Sequence, residues 1–214
     1  MLVEKLISRY PTIYHMAEAG TWNSIRQHGL MSTSAALDHF GYQGAARVPF
    51  ETLHRPSMAT IGEPTEIMLR DQIPMPPERL RRALVDGTTT EQWYRLINGK
   101  VFFWAQEHRL HRLLNYYRGA EHDVLHVDTR RLLAAHKDDI WLSHMNSGNT
   151  LPIPHHRDIS LFKRIDAYPE RRTGGPAKEV VEIVVDYAVP NIASFVTRVD
   201  RMKGLTLLGL VWEA

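Results

Sequence analysis

Six runs rich in β-branched and aromatic residues constrain this chain more than any other feature. They cover residues 10–16, 100–105, 123–129, 139–144, 179–187 and 205–213. Most end at Gly, Pro, Asn or Asp, as strands do where they turn. Between them, apolar residues recur at helical spacing over about 17–28, 77–85, 90–97, 107–117 and 191–200. In the last of these, Pro190 stands just ahead of Ile192, Phe195, Val196 and Val199, which predicts a helix. The expected class is α+β, helix-poor in its second half. With 214 residues, 43% of them apolar, one domain spanning 1–214 can bury a core without covalent staples. Two stretches break the periodicity. Phe40–Gln72 carries Pro49, Pro56, Gly62 and Pro64 and reads as a loop placed like a lid over a site, and residues 146–176 form a second irregular stretch.

Composition removes several function classes. The chain has no cysteine, so disulfide frameworks, thiolate zinc sites and cysteine nucleophiles are excluded. Lys and Arg total 26 against 24 Asp and Glu, a net charge of +2, so contact with nucleic acid would need a local basic patch. No stretch approaches the ~18 apolar residues of a membrane span, and the first residues lack a basic region ahead of an apolar run. A soluble, cytoplasmic protein with no membrane partner is expected. Of the twelve histidines, His155 and His156 are adjacent and would point opposite ways in a strand. No HExxH or paired-carboxylate spacing occurs, so no metal is expected.

Three segments carry chemistry. In the first, a strand ends on Tyr14–His15, an amphipathic helix follows with Trp22 and Ile25 facing the core, and Gly29 closes it in a left-handed cap before Leu30. His15 then aims ring nitrogens into a cleft, unless it is bonded within the core. In the second, Asn98–Gly99 leads into Val101, Phe102, Phe103 and Trp104, followed by a helix with Arg109, His111 and Arg112. Strand-end aromatics can stack a planar ring and basic groups can meet phosphate, although alternation also lets Phe102 and Trp104 pack one sheet face and Phe103 the other. In the third, alternation puts Val180, Glu182 and Val184 on one face of an apolar strand. A carboxylate there is costly unless it is bonded or opens onto a cleft, and desolvation raises its pKa. A site carboxylate and a structural ion pair both account for it.

Taken in order, these segments resemble the ADP-ribosyltransferase fold, most closely the DNA-modifying toxins of the DarT type. The resemblance rests on Tyr14–His15, Ile25 and Gly29–Leu30, on Phe102–Phe103–Trp104 in place of a Phe-Tyr-Phe-like strand, and on Asn146–Ser147 in a later segment. It also rests on Glu182 followed eight residues later by Pro190 in a Val-Pro pair. Residues 40–100 have no counterpart and read as an insertion. Arg109 is the nearest candidate for the family's arginine. The residue two before Glu182 is Val180, so arginine-modifying transferases of the Gln/Glu-x-Glu type match poorly.

The resemblance implies two packed, mostly antiparallel sheets forming an NAD cleft with flanking helices. It implies a transferase that cleaves the nicotinamide–ribose bond of NAD and passes ADP-ribose to a macromolecular acceptor, a nucleic-acid base among the candidates. Glu182 would be catalytic, and Tyr14, His15, Phe102, Arg109 and Asn146 would bind the co-substrate. A toxin of this kind would have an antitoxin or immunity partner. The rival readings are a catalytically silent domain of the same fold that binds a nucleotide or partner, and an NAD-dependent RNA 2′-phosphotransferase.

Overall fold

The computed structural model describes residues 1, 3–62, 66–172 and 174–214. Along the chain run α1 (Val3–Arg9), β1 (Thr12–Glu18), α2 (Trp22–His28), β2 (Leu30–Met31), α3 (Thr33–His39), α4 (Val48–Glu51), β3 (Ala59–Ile61) and β4 (Ile67–Leu69). There follow α5 (Pro77–Ala83), α6 (Thr90–Asn98), β5 (Lys100–Trp104), α7 (Glu107–Tyr116), β6 (Glu121–Asp128), α8 (Thr129–His136) and β7 (Ile140–Ser143). The last elements are β8 (Lys163–Arg164), β9 (Glu182–Asp186), β10 (Ala188–Val189), β11 (Val196–Lys203) and β12 (Thr206–Glu213). The protein is α+β, built on one large antiparallel sheet flanked by helices. No helix among the described residues is long and apolar enough to cross a membrane.

The eight-stranded sheet has the order β12-β11-β6-β1-β5-β9-β7-β8. Where two packed sheets were expected, the strands form one sheet that nearly divides in the middle. Neighbours β1 and β6 stay in register from Thr12–Asp128 to Glu18–His122, whereas β1 and β5 meet only at Tyr14–Trp104. At the division the His15 ring takes the place of a ladder bond. Its Nδ1 lies 2.8 Å from the Phe102 carbonyl oxygen, the group a neighbouring strand would otherwise pair.

One face of the sheet carries Ile13, Phe103, Leu125 and Ile183 under α1, α2 and α8. On the other, Phe102, Trp141 and Val184 pack against α5 and α6, and Met16 and Val124 against α7. Phe102 and Phe103 thus part to opposite layers, as alternation requires. The 40–100 segment packs Ile61 and Leu69 of the β3–β4 ribbon against Ala36 and Leu37 of α3, in a cluster of their own. The expected loop over 40–72 is therefore partly regular; its Pro64 lies outside the described residues.

Two expected helices are corrected. The first begins at Trp22 rather than near 17, because Ala17 and Glu18 still pair with Asp123 and His122. The helix expected over 191–200 is a short 3-10 turn followed by strand β11. A register shift between Val196 and Arg198 puts Val196 and Val199 on the buried side at a spacing of three, and that bulge mimics helical periodicity.

Candidate active site

The division between β1 and β5 opens a cavity of about 410 Å³, within the range of small-molecule sites. Its walls bring together segments far apart in the chain: His15 from β1, Phe102 from β5, Asn146 and Ser147 from the loop after β7, and Glu182 from β9. Register explains the meeting. Trp104 of β5 pairs with Glu182 of β9, and Glu182 with Ser143 of β7, so the acid stands one strand away from the split.

Glu182 is 4% exposed. Its Oε1 accepts a hydrogen bond from the Ser147 backbone N–H at 3.1 Å. Its Oε2 and the Ser147 hydroxyl, both buried, have no partner among the described residues. Burial pushes its pKa up to about 7, and the Ser147 contact and the charges of Arg157 and Arg109 restrain the rise. The turn that presents Ser147 is fixed by the buried Arg157 guanidinium, which donates to the carbonyls of Ser147 at 2.9 Å and Asn149 at 2.8 Å. Asn146 tightens the same turn by accepting from the Gly148 N–H at 3.0 Å.

His15 is fixed in one tautomer by its environment. Nδ1–H donates to the Phe102 carbonyl, which leaves Nε2 as an acceptor. Desolvation lowers its pKa to about 4, so the ring is neutral at physiological pH. Such a group accepts a hydrogen bond from a hydroxyl and cannot repel a cation.

Gly29 and Pro190 are joined for a steric reason. Gly29 has φ +84°, and a Cβ there would lie 2.5 Å from the Pro190 Cα. Its ψ of 176° is extended rather than the left-handed cap expected. The Leu30–Val189 pairing beside it ties β2 to β10 and closes the end of α2 against the chain following Glu182.

Two expected binding residues stand elsewhere. Tyr14 is absent from the cavity wall; its ring packs edge-on against His126 at 5.2 Å and borders a separate polar hollow with Glu107 and Glu179. Arg109 is occupied by Glu179 and Gln106, each at 2.7 Å. Tyr14 packs in the cluster under α7, two residues before Met16, which does line the cavity. Three cations line the cavity: Arg55, which donates to the Phe50 and Arg70 carbonyls, Lys100, which pairs with Asp186, and Arg70, in the 40–100 segment, which keeps hydrogen-bonding capacity to spare. It lies over the Tyr117 ring at 5.0 Å, makes only a long 3.9 Å contact with Glu18, and keeps a buried Nη1 without a partner among the described residues. In sequence nothing separates Arg70 from Arg79, Arg81 or Arg82; only the apolar Ile67–Leu69 ahead of it marks a strand that delivers it.

Among the described residues no group of three or more His, Asp or Glu is placed to hold a metal ion. Five of the eight methionines, Met16, Met31, Met58, Met68 and Met75, line the cavity and give it adaptable, polarisable walls suited to planar rings. Residues 11–196 match a family model described as Family of unknown function (DUF7002). No curated protein matches the chain.

Proposed function

Because the chain belongs to the DUF7002 family, whose description assigns no activity, we infer its function from its own site: an NAD-dependent ADP-ribosyltransferase of ADP-ribosyltransferase-like fold. The observation that carries this reading is the convergence of His15 and Glu182, 167 residues apart (182 − 15), on one cavity with the aromatic strand between them. What supports catalysis over a silent binding domain is the cleft beside His15 and the Glu182 oxygen left free within it.

Cleaving the nicotinamide–ribose bond develops positive charge on the ribose. A buried carboxylate opposing that charge favours the transition state over the ground state. Glu182 Oε2 accepts from a ribose hydroxyl and, with a pKa near neutrality, can take the proton of an attacking nucleophile. His15 Nε2 accepts from another hydroxyl. Phe102 and the methionine walls hold the planar ring, and the unpaired Arg70 nitrogen meets phosphate, the role expected of Arg109. Arg70 thus replaces Arg109 in the proposal, and Tyr14 leaves it.

The acceptor we propose is a nucleic-acid base. The outer face of α7 exposes Arg112 and Tyr116 one turn apart, with Arg118 just beyond, a pairing of charge and aromatic surface suited to a single strand. The test is incubation with NAD⁺ labelled on the adenylate, with DNA, RNA and protein pools offered separately. Label on a nucleic-acid pool is expected. Label on protein alone would overturn the acceptor, and intact NAD⁺ in every tube would overturn the reaction.

A further inference from the structure

Arg70 lies just past the last β3–β4 pair, Ala59–Leu69, where the ladder no longer fixes the backbone. Arg55 supplies the bond instead. Its Nε–H donates to the Arg70 carbonyl at 2.7 Å. The same guanidinium donates from Nη1 to the Phe50 carbonyl at 2.9 Å and from Nη2 to Asn98 Oδ1 at 3.4 Å. The two chain segments are tied again beside it. The Gln72 N–H donates to the Arg55 carbonyl at 2.7 Å, and the Arg55 N–H to Gln72 Oε1 at 3.1 Å. Gln72 Nε2 donates to Asn98 Oδ1 at 3.2 Å, and Asn98 Nδ2 to the Glu51 carbonyl at 3.1 Å. Asn98 stands two residues before β5, so this network ties the exit of the ribbon to the strand that carries Phe102.

Arg55, Gln72 and Asn98 are all buried. The three acceptors of the Arg55 guanidinium are neutral, and desolvation lowers its pKa to about 10. A methionine would fill this space without desolvating a charge. What it could not do is hold three acceptors with one planar fork, which is the particular capacity of a guanidinium. Arg70 is set from its other side as well. The Tyr117 hydroxyl donates to the Asp71 carboxylate at 2.8 Å, and the Tyr117 ring carries the Arg70 guanidinium.

We propose that Arg55 is a positioning residue for Arg70, holding its guanidinium where the cavity takes the pyrophosphate of a dinucleotide. This rests on the phosphate role given to Arg70 in the function proposed above, and Arg55 acts through that residue.

Arg55→Met, Arg70→Ala and the double variant form a thermodynamic cycle, read with NAD⁺ in calorimetry and with inorganic pyrophosphate in ³¹P NMR titrations. Arg55→Met should weaken both ligands about tenfold, as Arg70→Ala does, and the double variant should stay within about twofold of Arg70→Ala alone. Arg55→Lys keeps the charge without the fork and should weaken both ligands about threefold or more. It carries the test if circular dichroism shows Arg55→Met unfolded. Nicotinamide, followed by proton NMR, has no phosphate and should bind every variant alike. Additive losses in the double variant, an Arg55→Lys protein that binds as the wild type does, or an equal loss of nicotinamide would overturn the proposal. Pyrophosphate binding with the expected pattern, in a protein that does not bind NAD⁺, would overturn the NAD reading and leave the role of Arg55 standing.

Discussion

Glu182→Gln offers a prediction in which stability and activity move in opposite directions. Burial lifts the Glu182 pKa from 4.5 to about 7, so the folded protein holds a proton that the unfolded chain has released over that interval. Stability attributable to the neutral acid is therefore complete below pH 4.5, is lost as pH rises, and levels off once the folded carboxyl has also ionised above about pH 7. The difference of 7 − 4.5 = 2.5 pH units, at about 1.4 kcal/mol per unit, corresponds to about 3 kcal/mol. Glutamine keeps the acceptor for the Ser147 N–H and does not titrate. Urea unfolding of both proteins at pH 5, 6, 7 and 8 should give nearly coincident stabilities at pH 5. By pH 8 the variant should be more stable by about 2–3 kcal/mol, worth roughly 4–12 °C in melting temperature for a domain of this size. Turnover of NAD⁺ should fall by about two orders of magnitude or more in the same variant, the scale for one group opposing transition-state charge. A stability difference that is constant across pH would show that Glu182 does not titrate in the folded cavity, and the account of its raised pKa would fail.

Further consequences follow from neighbouring residues. His15→Gln should flatten the acid limb of stability. The unfolded imidazole binds a proton below pH 6.5 and the folded one only near pH 4, so between pH 7 and 5 the wild type should lose about 2 kcal/mol more than the variant; equal losses would place His15 outside the desolvated cleft. Gly29→Ala combines an unfavourable positive φ with a Cβ set against the Pro190 backbone and should lower stability by roughly 3 kcal/mol or more in thermal melts, whereas a loss under about 1 kcal/mol would contradict that close approach. Arg70→Ala should weaken NAD⁺ binding by about tenfold or more in calorimetry, as expected for a lost charge-assisted bond, while Arg109→Ala and Tyr14→Phe stay within about twofold; the reverse order would restore the assignment read from sequence.

The strands were legible where alternation and β-branching are unbroken, as in Ile13–Met16, Val101–Trp104 and Ile183–Val185. β11 was not, because its bulge replaces a period of two by a spacing of three. Within the site, His15 and Glu182 stood out because each is a polar group set in apolar strand sequence. Arg70 could not, because its position depends on how the β3–β4 ribbon is carried across the cavity, a long-range arrangement without local signature. Tyr14 stands apart for a related reason: Met16 and Trp104 of the same face line the cavity, so its place along the strand, under α7 and against His126, separates it from the wall, and the Tyr–His pair alone does not encode that.

The central claim, that His15 and Glu182 face one NAD-binding cavity, is tested most directly by following both groups at once. With ¹⁵N-labelled histidine and carboxyl-labelled glutamate, titration with NAD⁺ should shift the His15 Nε2 and Glu182 carboxyl resonances together, saturably and with a single dissociation constant. Resonances that stay still at saturating NAD⁺, or that respond with separate constants, would contradict it.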